Sequence, residues 1–250
     1  KIDIANKKKI NNFLKNKKID LIIHLAAQAG VRYSILEPEK YIQSNQLGFF
    51  NILNFAKNKK IRMIYASSSS VYGETKKFPL YEKEKLNPIN LYSITKENNE
   101  KIAEIFSKFY NLNIIGLRFF TVFGEWGRPD MFILKYLETA TKEKKFIYYN
   151  KGNYVRDFTY INDVINLILP IILKKNLKGN NHIIFNVCSN KPIKISKVYS
   201  KLTKINYHKN LHHIKKNQLD SFKTHGSNKK ILKFSKNFKF TNFDKALLRT

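Results

Sequence analysis

The sequence contains one cysteine, Cys188, among its 250 residues. A single cysteine excludes an internal disulfide, and we expect a cytosolic protein, where disulfides are rare. Long hydrophobic runs are also missing, because the longest candidate, residues 164–173, is interrupted by Asn166 and Pro170. A membrane helix needs about 18 to 20 apolar residues, and the first residues do not resemble a signal peptide. We therefore expect a soluble, cytoplasmic protein without membrane insertion.

Acidic residues are scarce, with 18 Asp and Glu against 47 Lys and Arg, which gives a formal net charge of +29. Such a charge often indicates a nucleic-acid or anionic-membrane partner. Here only six of the basic residues are arginine, and the lysines are spread along the whole chain. A nucleic-acid surface gathers arginine, lysine and aromatic side chains on one element. We therefore predict no nucleic-acid partner, whereas an anionic small-molecule substrate suits the positive field.

Short apolar runs alternate with longer helical patterns, which is typical of βαβ units and a doubly wound parallel sheet. We predict buried strands at residues 21–25, 63–66 and 114–118 and helices at about 38–57 and 91–110. Beyond residue 121 the pattern loosens into a second, smaller lobe. There we predict a helix at 130–141, a strand at 145–149 and a helix at 196–203. A buried strand is also predicted at 184–188. The tail after about 205 fits no pattern.

Tyr92 and Lys96 lie four residues apart in a predicted helix, and four serines, Ser67 to Ser70, follow a predicted strand. Residues four apart share a helix face, so the Lys96 ammonium lies under the Tyr92 phenol. A phenol titrates near pH ~10, and bringing its pKa close to neutrality takes about 4 kcal/mol of preferential stabilisation of the phenolate. The two residues and a serine hydroxyl would supply the base, its activator and a hydroxyl partner for the oxidation of a sugar alcohol. The alternative is chance, because Tyr-x-x-x-Lys is common in chains of this length.

The ends of the three predicted strands carry the polar and small residues of the candidate site. Residues 26–30, 67–70 and 119–121 follow these strands in turn. In open parallel sheets, ligands bind beyond the carboxyl ends of the strands. The sequence therefore predicts one site to which three strand ends contribute.

Four segments carry a resemblance to a known family: residues 24–34 (HLAAQAGVRYS), 65–73 (YASSSSVYG), 118–131 (RFFTVFGEWGRPDM) and 156–161 (RDFTYI). Together they resemble the extended short-chain dehydrogenase/reductase family, most closely its nucleotide-sugar epimerases of the UDP-glucuronate 4-epimerase type. The resemblance covers about residues 3 to 187. It implies a Rossmann-like fold, NAD as cofactor, and epimerisation at C4 of a UDP-sugar, most simply UDP-glucuronate to UDP-galacturonate, through a 4-keto intermediate.

The resemblance also implies roles for individual residues. Tyr92 is the base for the sugar 4-hydroxyl, Lys96 assists it and holds the nicotinamide ribose, and Ser68 binds the reacting oxygen. The implied NAD contacts are Asp3, Ile4, Leu25, Ala26, Ala27, Gln28, Asn45, Tyr92, Lys96 and Phe120. The implied substrate contacts are Arg32, Ser68, Ser69, Thr121, Arg128, Ile147, Tyr148, Arg156 and Asp220. No metal is implied, and the absence of a carboxylate directly after Ser68 favours epimerisation over dehydration.

Several of these residues have simpler interpretations that stay open. Phe120 could pack in the core, Asn45 could cap a helix, Arg156 could pair with Asp157 at the surface, and Ile147 and Tyr148 could be strand packing. The resemblance further implies a homodimer. It divides the chain into an NAD-binding domain, residues 1–120 with 155–187 returning to it, and a substrate-binding lobe, residues 121–154 and 188–250.

The sequence departs from the family in its glycines, of which it has nine. The family begins with a strand and a turn of the form Gly-x-x-Gly-x-x-Gly, whose amides bind the pyrophosphate, and no such cluster is present. We expect an N-terminally truncated Rossmann-like domain, from either a piece of a longer reading frame or a naturally shortened product. Two rival functions stay open: an epimerase for a neutral UDP-hexose, and a non-catalytic, nucleotide-sugar-binding relative.

Overall fold

The computed structural model describes residues 2–174, 182–208, 210–215, 220–235 and 237–250. The α-helices are α1 (Lys7–Leu14), α2 (Tyr33–Leu36), α3 (Pro38–Tyr41), α4 (Phe49–Lys59), α5 (Leu91–Tyr110), α6 (Phe132–Thr141), α7 (Ile161–Leu173), α8 (Ile195–Ile205), α9 (Lys229–Leu232) and α10 (Phe243–Arg249). The strands are β1 (Leu21–His24), β2 (Arg62–Ser68), β3 (Ile114–Phe119), β4 (Thr121–Phe123), β5 (Phe146–Tyr149), β6 (Val155–Tyr160), β7 (His182–Val187), β8 (Pro192–Lys194) and β9 (Leu211–Ile214). A π-helix spans Ile42–Gly48, and 3₁₀ turns span Ser69–Tyr72 and Asn150–Gly152.

The chain divides into two compact units. Unit 1 comprises Lys1–Thr75, Glu82–Phe119 and Ile172–Asn186, and unit 2 comprises Lys76–Tyr81, Phe120–Ile171 and Val187–Thr250. The predicted boundaries of the NAD-binding domain and the substrate-binding lobe stay predictions.

Unit 1 is built on a four-stranded sheet in the order β1-β2-β3-β7. The pairs β1–β2 and β2–β3 are parallel, with Leu21 opposite Arg62 and Met63 opposite Ile114. Five of the six residues of β3 are buried, as expected for a parallel sheet with both faces covered. Phe49 and Leu53 of α4 and Ala103 of α5 belong to the core that includes β2 and β3. The predicted α/β fold with a parallel sheet is confirmed.

Helix α5 has the bounds that the sequence predicted, and its first turn explains why. Asn90 caps the helix by accepting from the Ser93 N–H, and the Ser93 side chain completes a reciprocal capping box. The helix ends at Asn111, which adopts the left-handed conformation. This capping fixes where Tyr92 and Lys96 lie on the helix.

The predicted helix at 38–57 is confirmed in extent but is not regular. It starts with Pro38 at its first position, winds as a π-helix over residues 42–48, and ends at left-handed Lys60. A π-segment widens the helix and occurs often at functional sites. The apolar period predicts the helix but not this local unwinding.

Unit 2 contains two small sheets. Strand β6 pairs in parallel with β4 and antiparallel with β8, and β5 pairs in parallel with β9. Aromatic residues dominate the core, among them Tyr136, Phe146, Tyr148 and Phe158. The predicted helices at 130–141 and 196–203 correspond to α6 and α8, whereas β9, α9 and α10 come from the tail that no pattern predicted.

Cys188 is buried and forms no disulfide, as the sequence predicted. Among the parts of the chain that the structure describes, no helix is both long and apolar enough to cross a bilayer. The predicted cytoplasmic location stays a prediction.

Candidate functional site

Tyr92 and Lys96 lie on one face of α5, beside the carboxyl end of β2. The Lys96 Nζ is 5.9 Å from the centroid of the Tyr92 ring and donates a hydrogen bond of 2.8 Å to the Ala66 carbonyl. Lys96 is only 4% exposed. The Tyr92 ring also meets the Tyr41 ring edge-on, with 6.3 Å between centroids. The structure therefore places the lysine close to the tyrosine and anchors it to the neighbouring strand.

Burial governs the electrostatics around Lys96. Desolvation lowers the pKa of Lys96 to about 8, and the negative charge of Glu100 opposes this shift. His24, at the end of β1, is also buried, and desolvation together with the Lys96 charge lowers its pKa to about 4. At neutral pH Lys96 thus carries a proton and His24 is neutral, so this part of unit 1 presents a positive charge that favours an anionic neighbour.

Ser68 ends β2 and caps the 3₁₀ turn that follows. Its Oγ accepts hydrogen bonds from the Ser70 N–H at 3.2 Å and the Ser70 hydroxyl at 2.9 Å. Both contacts use Ser68 as acceptor, so within the described residues its own O–H is left to donate. Ser69, the neighbouring candidate, is half-buried in the same turn. The turn therefore orients one hydroxyl donor at the end of the strand.

Asn45, in the π-helix, holds the loop that follows β1. Its Oδ1 accepts from the Gln28 N–H at 2.7 Å, and its Nδ2 donates to the Gln28 carbonyl at 3.0 Å and to Thr95 Oγ1 at 3.1 Å. The interpretation of Asn45 as a helix cap is wrong, because its amide binds both backbone groups of Gln28 and a residue of α5. A direct contact of Asn45 with NAD stays a prediction.

The loop after β1 presents small and apolar residues, with Leu25 59% exposed and Ala26 exposed beside half-buried Ala27. Apolar residues at the carboxyl end of a parallel strand, close in sequence to the buried His24, fit the flat faces of a nicotinamide nucleoside. Lys96 adds a donor suited to ribose hydroxyls. The residues of this half of a dinucleotide site therefore fit the cofactor.

Asp3 and Ile4, the two candidate contacts near the start, are held by local hydrogen bonds. Asp3 accepts from the Ala5 N–H at 2.9 Å, and the Ile4 carbonyl accepts from Asn51 Nδ2 at 3.0 Å. Arg32, a third candidate in unit 1, is exposed just before α2. Their predicted contacts with NAD and substrate stay predictions.

In unit 2 the structure brings two candidates together, because Thr121 and Arg128 line one small cavity. The guanidinium of Arg128 is exposed and forms a two-pronged pair with the Asp130 carboxylate, with 3.0 Å from Nε to Oδ1 and a second bond from Nη2 to Oδ2. This planar fork is the geometry in which arginine binds carboxylates. In the structure this guanidinium is therefore already paired with a carboxylate of the same chain.

The remaining candidates of unit 2 lie on or near three strands. Ile147 and Tyr148 lie on β5, with Tyr148 buried in the aromatic core, which agrees with strand packing. Phe120 is buried beside Gly226, which agrees with its core-packing interpretation. Asp220 is half-buried. Their predicted ligand contacts stay predictions.

The proposed surface ion pair between Arg156 and Asp157 is wrong, because Asp157 is fully buried. The Asp157 carboxylate accepts from the Ser189 N–H at 3.1 Å, the Ser189 hydroxyl at 2.7 Å and the Gly226 N–H at 3.1 Å. Burial raises the pKa of Asp157 to about 6 despite these donors. Arg156 instead donates to the carbonyls of Val155 and Phe222.

A buried ion pair that the sequence did not reveal joins Glu100 of α5 to Arg118 of β3 in unit 1, with 2.6 Å from Nη2 to Oε2. One signal was available, since Glu100 follows Lys96 by one helical turn on the same face. Its partner comes from a strand and is not visible as a local pattern. Within the described residues, no cluster of three or more His, Cys, Asp or Glu side chains is placed to hold a metal.

Comparisons with known proteins agree with this geometry. Residues 1–188 match the NAD dependent epimerase/dehydratase family. Uncharacterized protein MJ1055 of Methanocaldococcus jannaschii is 47% identical over 197 residues, which are 78% of this chain and 59% of that protein. UDP-glucuronate 4-epimerase 4 of Arabidopsis thaliana is 42% identical over 169 residues, which are 65% of this chain and 39% of that protein.

A solved structure supports the same assignment. UDP-glucuronic acid 4-epimerase of Bacillus cereus, in complex with UDP-glucuronic acid and NAD, superposes with a TM-score of 0.88 at 27% identity, covering 99% of this chain and 78% of that one. The chain spans about 39 to 59% of the length of the two curated relatives described above. On the extent of the family match, the chain belongs to the NAD dependent epimerase/dehydratase family.

Proposed function

We propose that the protein is an NAD-dependent epimerase that inverts C4 of a UDP-sugar by transient oxidation. The observation that carries this proposal is the placement of Tyr92 and Lys96 on one face of α5, beside the strand that ends at Ser68. The named relatives of known activity are UDP-glucuronate 4-epimerases. We therefore propose UDP-glucuronate and UDP-galacturonate as the substrate pair.

The residues supply the proton chemistry of this reaction. The Tyr92 phenolate takes the proton of the sugar 4-hydroxyl, and the nearby Lys96 ammonium favours that phenolate by its charge. The Ser68 O–H donates a hydrogen bond to the same sugar oxygen and stabilises it as the carbonyl forms. Residues 25–28 and Lys96 would hold NAD, which would supply the reversible two-electron oxidation by taking up the C4 hydride and giving it back. When the opposite face of the keto sugar is presented, Tyr92 returns the proton and the inverted alcohol forms.

Unit 2 supplies groups suited to the rest of an acidic nucleotide sugar. The guanidinium of Arg128 is paired in the structure with the Asp130 carboxylate, which a substrate carboxylate would have to displace, and Thr121 lines the same cavity. We propose that Arg128 and Thr121 bind the carboxylate of the hexuronate. Arg156 is the proposed ligand of the diphosphate, because a planar guanidinium suits paired phosphate oxygens. Ile147, Tyr148 and Asp220 are proposed contacts of the nucleoside.

The decisive experiment is incubation of the protein with NAD and either UDP-glucuronate or UDP-glucose, followed by NMR of the anomeric protons. We expect UDP-galacturonate from the acidic substrate and slower turnover of the neutral one. Tyr92→Phe should lower turnover by at least about 100-fold, the contribution of a positioned acid–base group. Tyr110→Phe, at the far end of the same helix, is the matched control and should behave as the wild type.

Other outcomes separate the rivals. Faster turnover of UDP-glucose would favour the neutral-hexose epimerase. A folded protein that forms no product but binds UDP-sugar in calorimetry would be a non-catalytic binder. Equal activity of wild type and Tyr92→Phe would remove Tyr92 from the mechanism.

We also propose a homodimer, since exposed apolar side chains gather on helices of unit 1. Leu47 and Phe50 project from the π-helix and α4, and Ile94, Ile105 and Phe109 project from α5. Apolar helix faces of this kind are buried in subunit interfaces. Light scattering coupled to size exclusion should give about twice the chain mass, and a monomeric mass at micromolar concentration would contradict the proposal.

A further inference from the structure

Glu100, a buried acid of α5, is bound from two strands. Its Oε1 accepts from the Ser67 hydroxyl at 2.5 Å and from Arg118 Nε at 2.9 Å, and its Oε2 accepts from Arg118 Nη2 at 2.6 Å. The side chains of Arg118 and Glu100 are 5% and 7% exposed. Ser67 of β2 and Arg118 of β3 are opposite each other in the sheet. One carboxylate therefore joins α5 to the ends of both strands.

The contacts continue beyond the ion pair. Arg118 Nη1 donates to the Tyr72 hydroxyl at 2.8 Å and to the Glu82 carbonyl at 3.0 Å, and the Tyr72 hydroxyl donates to Asn186 at 2.7 Å. A buried ion pair is weak evidence for stability, because desolvation offsets most of the Coulomb attraction. A network that is fully hydrogen-bonded instead fixes geometry.

Side chains of helix α5 form hydrogen bonds with two consecutive residues of β2. Lys96 donates to the Ala66 carbonyl, and Glu100, one helical turn later, accepts from the Ser67 hydroxyl. The next residue along the strand is Ser68. We propose that Glu100, held by Arg118, is a positioning residue that fixes the end of β2 and thereby sets where the Ser68 hydroxyl lies relative to Tyr92. This inference rests on the proposed epimerase function.

The positioning role follows from the small tolerance of the reaction. Proton transfer and oxidation need reacting atoms about 3 to 3.5 Å apart, and a shift of about 1 Å can cost about 100-fold in rate. The Arg118 fork already binds both oxygens of Glu100. The additional bond from Ser67 therefore adds little to the ion pair but ties the strand end directly to the helix that carries Tyr92 and Lys96.

The test compares Ser67→Ala with Ser107→Ala. Both residues are buried serines, 3% and 1% exposed, and each hydroxyl donates one hydrogen bond, from Ser107 to the Leu112 carbonyl at 2.7 Å. Ser107 lies at the far end of α5. We expect Ser67→Ala to lower kcat by about tenfold with KM changed less than about twofold, because the geometry of the reacting groups is lost rather than binding. Ser107→Ala should keep the wild-type kcat.

A second measurement does not depend on activity. Hydrogen exchange of the backbone amides of residues 66–72 should rise at least about fivefold in Ser67→Ala, and should stay at the wild-type rate in Ser107→Ala. Unchanged exchange at 66–72 would overturn the inference whether or not the protein is active. Equal effects of the two substitutions on kcat would overturn it too. An inactive wild type would refute the proposed function, and the exchange rates alone would then decide the role of the Glu100 contacts.

Discussion

The buried ammonium of Lys96 should make the stability of the protein depend on pH in the alkaline range. Burial lowers the pKa of Lys96 from 10.5 to about 8. Each unit corresponds to about 1.4 kcal/mol, so the folded protein disfavours the charged lysine by about 3 kcal/mol. Between pH 8 and 10.5 the unfolded chain binds more protons at this site than the folded protein does. The free energy of unfolding should therefore rise with pH through this window.

Urea unfolding of the wild type and Lys96→Met at pH 7, 9 and 10.5 isolates this effect, because other groups titrate in both proteins and cancel in the difference. The wild type should gain up to about 3 kcal/mol relative to Lys96→Met between pH 7 and 10.5. Lys101→Met removes a solvated lysine of the same helix, and its free energy of unfolding should change with pH in parallel with that of the wild type. Curves for wild type and Lys96→Met that stay parallel within about 1 kcal/mol would refute the assignment of a strongly desolvated ammonium.

Three further predictions concern the other charged groups. Arg118→Met should lower the free energy of unfolding in urea by about 3 to 5 kcal/mol, because it leaves the Glu100 carboxylate buried and unpaired. The double variant Glu100→Met/Arg118→Met should recover part of that loss. A double variant as unstable as Arg118→Met would contradict this. Burial raises the pKa of Asp157 from 3.8 to about 6, so on acidification the folded protein binds this proton before the unfolded chain does. The free energy of unfolding of the wild type should therefore rise by up to about 3 kcal/mol relative to Asp157→Asn as pH falls from 6 to 4. A constant difference in melting temperature between the two proteins would contradict this. Arg128→Ala should lower kcat/KM for UDP-glucuronate at least about tenfold more than for UDP-glucose, and an unchanged ratio of the two would exclude a carboxylate-reading role.

The sequence predicted those parts of the fold that depend on local signals. Helix α5 matches its predicted bounds because Asn90 and Asn111 supply a cap and a left-handed stop at its two ends. The strands of unit 1 were visible as apolar runs. The tail was not, since β9 is stabilised by pairing with β5, with Leu211 opposite Phe146, and α9 has only four residues. Long-range pairing of short elements leaves no periodic signal in the chain.

In the candidate site, too, local sequence signals predict some residues, whereas long-range contacts determine the others. Spacing pointed to Tyr92 and Lys96, and the family resemblance singled out Ser68 from the serine run, whereas the partners that hold these residues depend on tertiary contacts. Glu100 and Arg118 are 18 residues apart in the sequence, and Asn45 and Gln28, which are hydrogen-bonded to each other, are 17 residues apart. Both partners lie on other elements, Arg118 on β3 and Gln28 in the loop after β1, so no spacing within one helix identifies them.

The buried polar side chains of unit 1 share one arrangement, which argues for rigidity as the reason they are present. Asn45 binds Gln28 after β1, Lys96 binds Ala66, and Glu100 binds Ser67 near the end of β2. Each comes from a helical segment and each holds backbone or side chain at the carboxyl end of a parallel strand, where ligands of such sheets bind. Apolar residues would pack there at lower desolvation cost, but they could not fix the strand ends with directional bonds. The proposed reaction, in which Tyr92 would remove and return a proton, needs such fixed strand ends more than it needs the stability that apolar packing would add.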